Sequence, residues 1–190
     1  MRAVPRRFVG AWERDSLTID RQPVPDIGRA VWIEAGGTYV DVRAAGSVAS
    51  GTSFGGRSAW RSPMFTWHHD LDLHPRPGDT DRGELTLAAG WIVERGIGID
   101  GGNAPYEERW RRLPTTATHT AVVTHEHGLA VRTGDHAALL LAPPELAAAC
   151  ARLWEYENGR WIETITLGAS RPTPVPRGSA WQMTRGWRAR

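Results

Sequence analysis

The segment Thr66-Trp67-His68-His69-Asp70-Leu71-Asp72-Leu73 has the alternating pattern of a β-strand with one buried face. Successive side chains of a strand point to opposite sides of the sheet. The face predicted to be buried therefore carries Trp67, His69, Leu71 and Leu73, and the outer face carries His68, Asp70, Asp72 and His74. If the buried face lines the inside of a β-barrel, His69 is a polar group placed where a ligand would lie. If a bulge reverses the alternation, the inward set becomes His68, Asp70 and Asp72.

The rest of the chain is typical of an all-β protein. It has 190 residues, with 21 glycines, 13 prolines and ten tryptophans, and strand-like runs separated by turn residues recur throughout. Two hairpin turns are well marked, Glu34–Gly37 and Glu157–Arg160, the second with an Asn-Gly pair. Pro143–Cys150 is the one short helix predicted, from its alanine-rich run. Because so many antiparallel strands must protect their edges, the sequence predicts a single lipocalin-like (calycin-type) antiparallel β-barrel domain over residues 1–190, with a sandwich as the alternative.

Charge and cysteine content exclude several classes of function. All 23 basic residues are arginine, so lysine Schiff bases, pyridoxal-phosphate anchors and Walker A lysines are absent. The net charge is +2, and the basic clusters Arg109–Arg112 and Arg185–Arg190 lack the aromatic interleaving of a nucleic-acid surface. Cys150 is the only cysteine, and no apolar run reaches the length of a signal or a membrane span. We therefore expect a cytoplasmic protein with neither a nucleic-acid nor a membrane partner.

A set of short motifs resembles one family of barrels. They occur in this order: Gly37-Thr38-Tyr39-Val40-Asp41-Val42-Arg43, Asp70, Asp81-Arg82-Gly83-Glu84, Ile92-Val93-Glu94-Arg95-Gly96, Glu108 with Trp110, Gly159-Arg160-Trp161-Ile162 and Ala180-Trp181. Together they resemble the fungal casein-kinase-interacting β-barrel proteins and their uncharacterised bacterial relatives. The resemblance implies a lipocalin-like fold of two joined lobes, and it implies little about activity. It corresponds to an N-lobe over 1–113 and, because this chain is shorter than the fungal members, an incomplete C-lobe over 114–190.

A candidate acid-base pair comes from the faces of two strands. Alternation places Glu108 with Tyr106 and Trp110, so this carboxylate shares an aromatic face as His69 does. Desolvation raises the pKa of a carboxyl group in such a setting, and a nearby histidine could exchange a proton with it. His69 and Glu108 are therefore the predicted catalytic residues if the protein is an enzyme. The alternative is that Glu108 forms a structural ion pair with Arg43 or Arg95 inside a filled barrel.

The leading hypothesis is a barrel that binds a small, largely apolar or aromatic molecule. Its predicted ligand-binding residues are Tyr39, Asp41, Arg43, Trp67, Trp91, Glu94, Tyr106 and Trp110. Asp41 and Arg43 could instead form an internal ion pair, since buried charges need partners. Trp12, Trp32 and Trp181 are predicted to be structural.

Two alternatives use the same fold. One is a cofactor-free isomerase, cyclase or lyase that uses His69 and Glu108, and the other is a protein-interaction module with a filled core. No metal or cofactor is predicted, although the spacing of His125 and His127 could suit a metal, and haem held by a single histidine is a related possibility. We expect a monomer or a homodimer.

Overall fold

The strands form two large antiparallel sheets and one separate hairpin in the computed structural model, which describes residues 3–46, 51–74, 80–98, 103–116, 119–168, 174–177, 180–182 and 187–189. The first sheet has nine strands. They are β1 (Gly10–Ile19), β2 (Gln22–Pro23), β3 (Ala30–Glu34), β4 (Thr38–Arg43), β5 (Thr52–Arg61), β6 (Met64–Asp72), β7 (Thr80–Ala88), β8 (Trp91–Ile97) and β9 (Pro105–Arg112).

The first sheet closes into a barrel. Its strands follow one another in chain order from β3 to β9, and β1 pairs with both β3 and β9, while β2 pairs only with the end of β1. The closed antiparallel barrel of eight strands confirms the predicted fold class. Its interior holds an aromatic cluster that includes Trp12, Trp32, Phe65, Trp67 and Trp110.

The second sheet has six strands in the order β14-β13-β12-β11-β10-β17, and a separate hairpin joins β15 to β16. The strands are β10 (Thr120–His125), β11 (Gly128–Thr133), β12 (His136–Leu141), β13 (Cys150–Glu157), β14 (Arg160–Gly168), β15 (Val175–Arg177), β16 (Ala180–Gln182) and β17 (Arg188–Ala189). In the described part of the chain, no pairing joins β14 to β17, so this sheet stays open.

The second sheet packs on the outside of the barrel. β11 and β12 are buried along their whole length, as expected for strands covered on both faces. On one side, Val131 and Leu140 contact the apolar residues Val40 and Val42, which alternate on β4 with the inward-facing set. A cluster that contains Trp154, Trp181 and Trp187 covers the other side. Trp181, on β16 of the separate hairpin, is therefore a buried core residue that packs with residues of the second sheet, and its predicted structural role is confirmed.

Local structure agrees with most of the turn predictions. Both marked hairpin turns form, and Asn158 and Gly159 have the positive φ values (50° and 83°) that an Asn-Gly hairpin requires. The helix predicted over Pro143–Cys150 is wrong in extent: only Leu146–Ala148 forms a 3₁₀ turn, and Cys150 already belongs to β13. Burial of Ala148 and Ala149 against neighbouring elements outweighs the helical propensity of this short run.

None of the helical segments that the structure describes has the length and apolarity to span a bilayer.

Candidate functional site

A bulge in β6 decides which polar groups enter the barrel. Gly56 of β5 pairs with His69 and Gly55 pairs with Leu71, so Asp70 is an additional residue on β6. His69 and Asp72 consequently both face the interior, whereas Leu71 and Leu73 pack with the apolar layer between the two sheets. The prediction that Leu71 and Leu73 share the face of His69 is therefore wrong, because alternation stops at the bulge.

His69 is held between two carboxylates. Its Nδ1 lies 3.3 Å from Asp72 Oδ2, its Nε2 lies 3.2 Å from Asp81 Oδ2, and its ring stacks on Phe54 at 4.2 Å between centroids. Burial lowers the pKa of His69, but hydrogen bonds and the charges of Asp72 and Asp81 outweigh that effect and raise it to about 9. His69 is thus an imidazolium at neutral pH, which does not accept a proton as a general base.

Glu94 is a buried carboxylic acid of the barrel interior. Its side chain accepts hydrogen bonds from the Tyr106 hydroxyl at 2.8 Å and from the Trp110 indole at 3.1 Å. Its cross-strand neighbour on β9 is Glu108. Desolvation, followed by the negative charge of Glu108, raises the pKa of Glu94 to about 8, so Glu94 is mostly protonated at neutral pH. Gly83 makes room for it, because a Cβ there would lie 2.7 Å from Glu94 Cγ.

Glu108 is paired with Arg14 rather than with His69. Arg14 Nη1 donates to Glu108 Oε1 at 2.7 Å, both side chains are more than nine-tenths buried, and Arg14 Nη2 donates to the carbonyl of Ile27 at 2.9 Å. The partner of Glu108 is therefore Arg14, whereas His69 contacts Asp72 and Asp81. Arg14 follows Trp12 at the two-residue spacing of a shared face, a signal that sequence reasoning overlooked.

Asp41 and Arg43 form the internal ion pair that was the alternative reading of these residues. Arg43 donates from Nε to Oδ1 at 3.0 Å and from Nη2 to Oδ2 at 3.2 Å. The Arg43 guanidinium also lies over the ring of Phe54, 4.9 Å from its centroid. The pair therefore lies at the end of the barrel where β4 ends and β5 begins, with the Arg43 side chain 25% exposed.

A cavity of about 20 Å³ remains between these groups. Its aromatic lining consists of Trp32, Phe54, Trp67 and Trp110, and its polar lining of Asp41, Arg43, Asp81 and Glu94. This volume holds a group of about the size of one water molecule. Trp32, one of the lining residues, has a buried indole nitrogen that finds no hydrogen-bond acceptor among the described residues.

Most of the predicted site residues face the barrel interior. Tyr39, Asp41, Arg43, Trp67, His69, Glu94, Tyr106, Glu108 and Trp110 all lie on that side. Trp91 is the exception: Ile92 and Glu94 of β8 point inward, so Trp91 points outward, where Arg109 lies over its ring at 5.1 Å. Trp91 therefore does not line the cavity, and this correction follows from strand alternation.

The structure adds residues that the sequence did not single out. Arg14, Trp32, Phe54, Asp72 and Asp81 all contribute to the interior, in the contacts given above. Asp72 was assigned to the outer face and enters through the bulge. Within the described residues, no three His, Cys, Asp or Glu side chains are grouped to hold a metal ion, and His125 instead contacts the ring of Trp187.

Comparison with known protein families matches residues 30–188 to the family described as Protein HRI1. The matched range begins at β3 and runs to the last strand, and so includes most of the barrel and the second sheet. No curated protein and no solved structure gives a significant match.

Proposed function

The chain belongs to the Protein HRI1 family, and from the barrel geometry of this family member we propose that it binds a small aromatic amine. The ammonium group would occupy the 20 Å³ cavity, and the aromatic part would lie towards the Arg43 end of the barrel. The observation that carries the proposal is the cavity itself, which combines aromatic walls with carboxylates. This ligand is more polar than the largely apolar molecule that the sequence indicated.

The charge of the interior favours a cation. Among the described groups around the cavity and His69, five carboxylates face three cationic groups, namely Asp41, Asp72, Asp81, Glu94 and Glu108 against Arg14, Arg43 and His69. With Glu94 protonated at neutral pH, one negative charge remains in excess within this set. A bound ammonium group would interact favourably with these carboxylates, of which Glu94 and Glu108 are buried.

The aromatic walls favour the same ligand. Trp32 and Trp67 meet edge to face with 5.5 Å between centroids, and Trp32 and Trp110 do so at 6.2 Å. Indole faces attract cations and pack well against an aromatic ring. The unsatisfied indole N–H of Trp32 requires an acceptor, which a hydroxyl oxygen beside the amine would supply.

We expect 2-amino-1-phenylethanol to bind more tightly than phenethylamine, and 2-phenylethanol, which lacks the amine, not to bind detectably. The hydroxyl of the first compound accepts from Trp32, and the ammonium group of the first two compounds compensates the carboxylates. Isothermal titration calorimetry with the three compounds at one pH gives the order directly. Equal binding of the amine-free alcohol would overturn the proposal.

Phenethylamine is expected to bind roughly tenfold more tightly at pH 8.5 than at pH 6.5, because Glu94 ionises in that interval while an alkylammonium group keeps its proton. Glu94→Gln should abolish this increase. Glu84→Gln is the matched control, since Glu84 is an exposed carboxylate on the neighbouring strand β7. An unchanged pH dependence in Glu94→Gln would contradict the assigned role of Glu94.

A further inference from the structure

The outer face of β5, β6 and β7 forms a second concavity, separate from the barrel interior. Its volume is about 940 Å³. The polar side chains that line it are Arg61, Ser62, Thr66, His68 and Arg82. Each of these side chains can donate a hydrogen bond, and no carboxylate contributes to the lining that the structure describes.

Two of the arginines have no carboxylate partner. On the same barrel, Arg57 pairs with Asp70 and Arg95 pairs with Glu107. Within the described residues, Arg61 and Arg82 form no such ion pair. Their charges are therefore available to a ligand.

A further feature favours an anion. The guanidinium of Arg7 lies 5.7 Å from the ring of Trp60, which also lines the concavity, and so adds positive charge nearby. Glu84 stands cross-strand from Met64 at the margin but is not part of the lining.

We propose that this concavity binds a phosphate monoester. A phosphate monoester carries close to two negative charges and three acceptor oxygens, which match two guanidinium groups and two hydroxyl groups. Arginine forks suit phosphate geometry because each can donate two parallel hydrogen bonds. The concavity is much larger than a phosphate group, so the remainder of the ligand can pack against Trp60 and Met64.

This site is independent of the amine site inside the barrel. Alternation along β6 places Thr66 and His68 on the outer face, whereas Trp67 and His69 face inward. The two cavities share no lining residue. Substitutions at Arg61 or Arg82 should leave the affinity for phenethylamine unchanged, which makes failure of either proposal distinguishable.

The test is calorimetric titration of the whole chain with phosphoserine, with serine as the uncharged-side-chain control. We expect phosphoserine to bind and serine not to bind. Arg61→Gln and Arg82→Gln should each weaken phosphoserine binding roughly tenfold, since each removes charge-assisted hydrogen bonds. Arg160→Gln is the matched control, because Arg160 is an exposed arginine on β14 of the second sheet.

Two further probes distinguish the sources of a phosphate monoester. Tighter binding of a phosphoserine-containing peptide than of glycerol 3-phosphate would assign the ligand to a phosphorylated protein, and the reverse order would assign it to a metabolite. Absence of phosphoserine binding would overturn the proposal. So would unchanged affinity in Arg61→Gln and Arg82→Gln, or an equal loss in Arg160→Gln, which would indicate nonspecific attraction by arginine.

Discussion

Replacing Arg14 with methionine is expected to lower the free energy of unfolding by about 3–5 kcal/mol, because it leaves the buried carboxylate of Glu108 without its counterion. The side chains of Arg14 and Glu108 are only 7% and 3% exposed, so water cannot replace the lost partner. The substitution also removes the donor to the carbonyl of Ile27. Urea unfolding at pH 7, followed by tryptophan fluorescence, measures the loss.

The barrel contains its own control for this prediction. Arg95 and Glu107 form an ion pair of similar length, 2.8 Å, on β8 and β9, but their side chains are 58% and 37% exposed. Arg95→Met should therefore cost less than about 1 kcal/mol. Adding Glu108→Gln to the Arg14→Met variant removes the buried charge and should restore part of the stability. Equal costs for Arg14→Met and Arg95→Met would show that burial of the pair does not determine its contribution.

Sequence patterns predicted the barrel well because its strands obey simple alternation. Tyr39, Asp41 and Arg43 share the interior face, and Val40 and Val42 cover the other face of β4. The turns that carry Gly36 and Asn158 could also be predicted from the sequence, since positive φ values restrict the residue types that can occupy them. These features depend on neighbours in the sequence.

The partners inside the barrel were less predictable because they depend on distant strands and on register. The position of the bulge at Asp70 cannot be predicted from the sequence of β6 alone, since it is defined by the pairing of β6 with Gly55 and Gly56 on β5. It brings Asp72 to His69, while closure of the barrel brings Arg14 to Glu108 across 94 positions of the chain. Sequence reasoning placed His69 and Glu108 on the inner face but did not identify their partners Arg14, Asp72 and Asp81.

The stability of the protein is expected to fall as the pH rises from 5 to 9, because three buried groups bind protons more tightly in the folded chain than in the unfolded chain. The pKa values of Glu94 and Glu34 are raised to about 8 and about 7, chiefly by desolvation. The pKa of His69 is raised to about 9, where Asp72 and Asp81 outweigh desolvation. In each case unfolding releases a proton within this interval, so a higher pH favours the unfolded state.

The three contributions occupy different parts of the pH range. The contributions of protonated Glu94 and Glu34 to stability are complete below the ordinary glutamate pKa near 4.5. They are lost progressively as the pH rises to about 8 for Glu94 and to about 7 for Glu34. The contribution of His69 is intact below about pH 6.5 and is lost as the pH approaches 9. The pKa of Glu94 is raised further than that of Glu34, so Glu94 makes the larger contribution of the two glutamates.

Single substitutions separate these contributions when unfolding free energies are measured at intervals from pH 5 to 9. Glu94→Gln should flatten the decline below pH 8, because an amide keeps a hydrogen-bonding shape without a titrating proton. Glu34→Gln should flatten the decline below pH 7. The Glu34 side chain accepts hydrogen bonds from Ser58 and from the Gly37 amide in the β3–β4 turn. His69→Gln should remove the decline above pH 7, and the exposed Glu84→Gln should leave the whole curve unchanged. A stability that rises between pH 5 and 8 would mean that Glu94 is ionised in the folded barrel, and the excess negative charge that attracts an amine would then be present already at neutral pH.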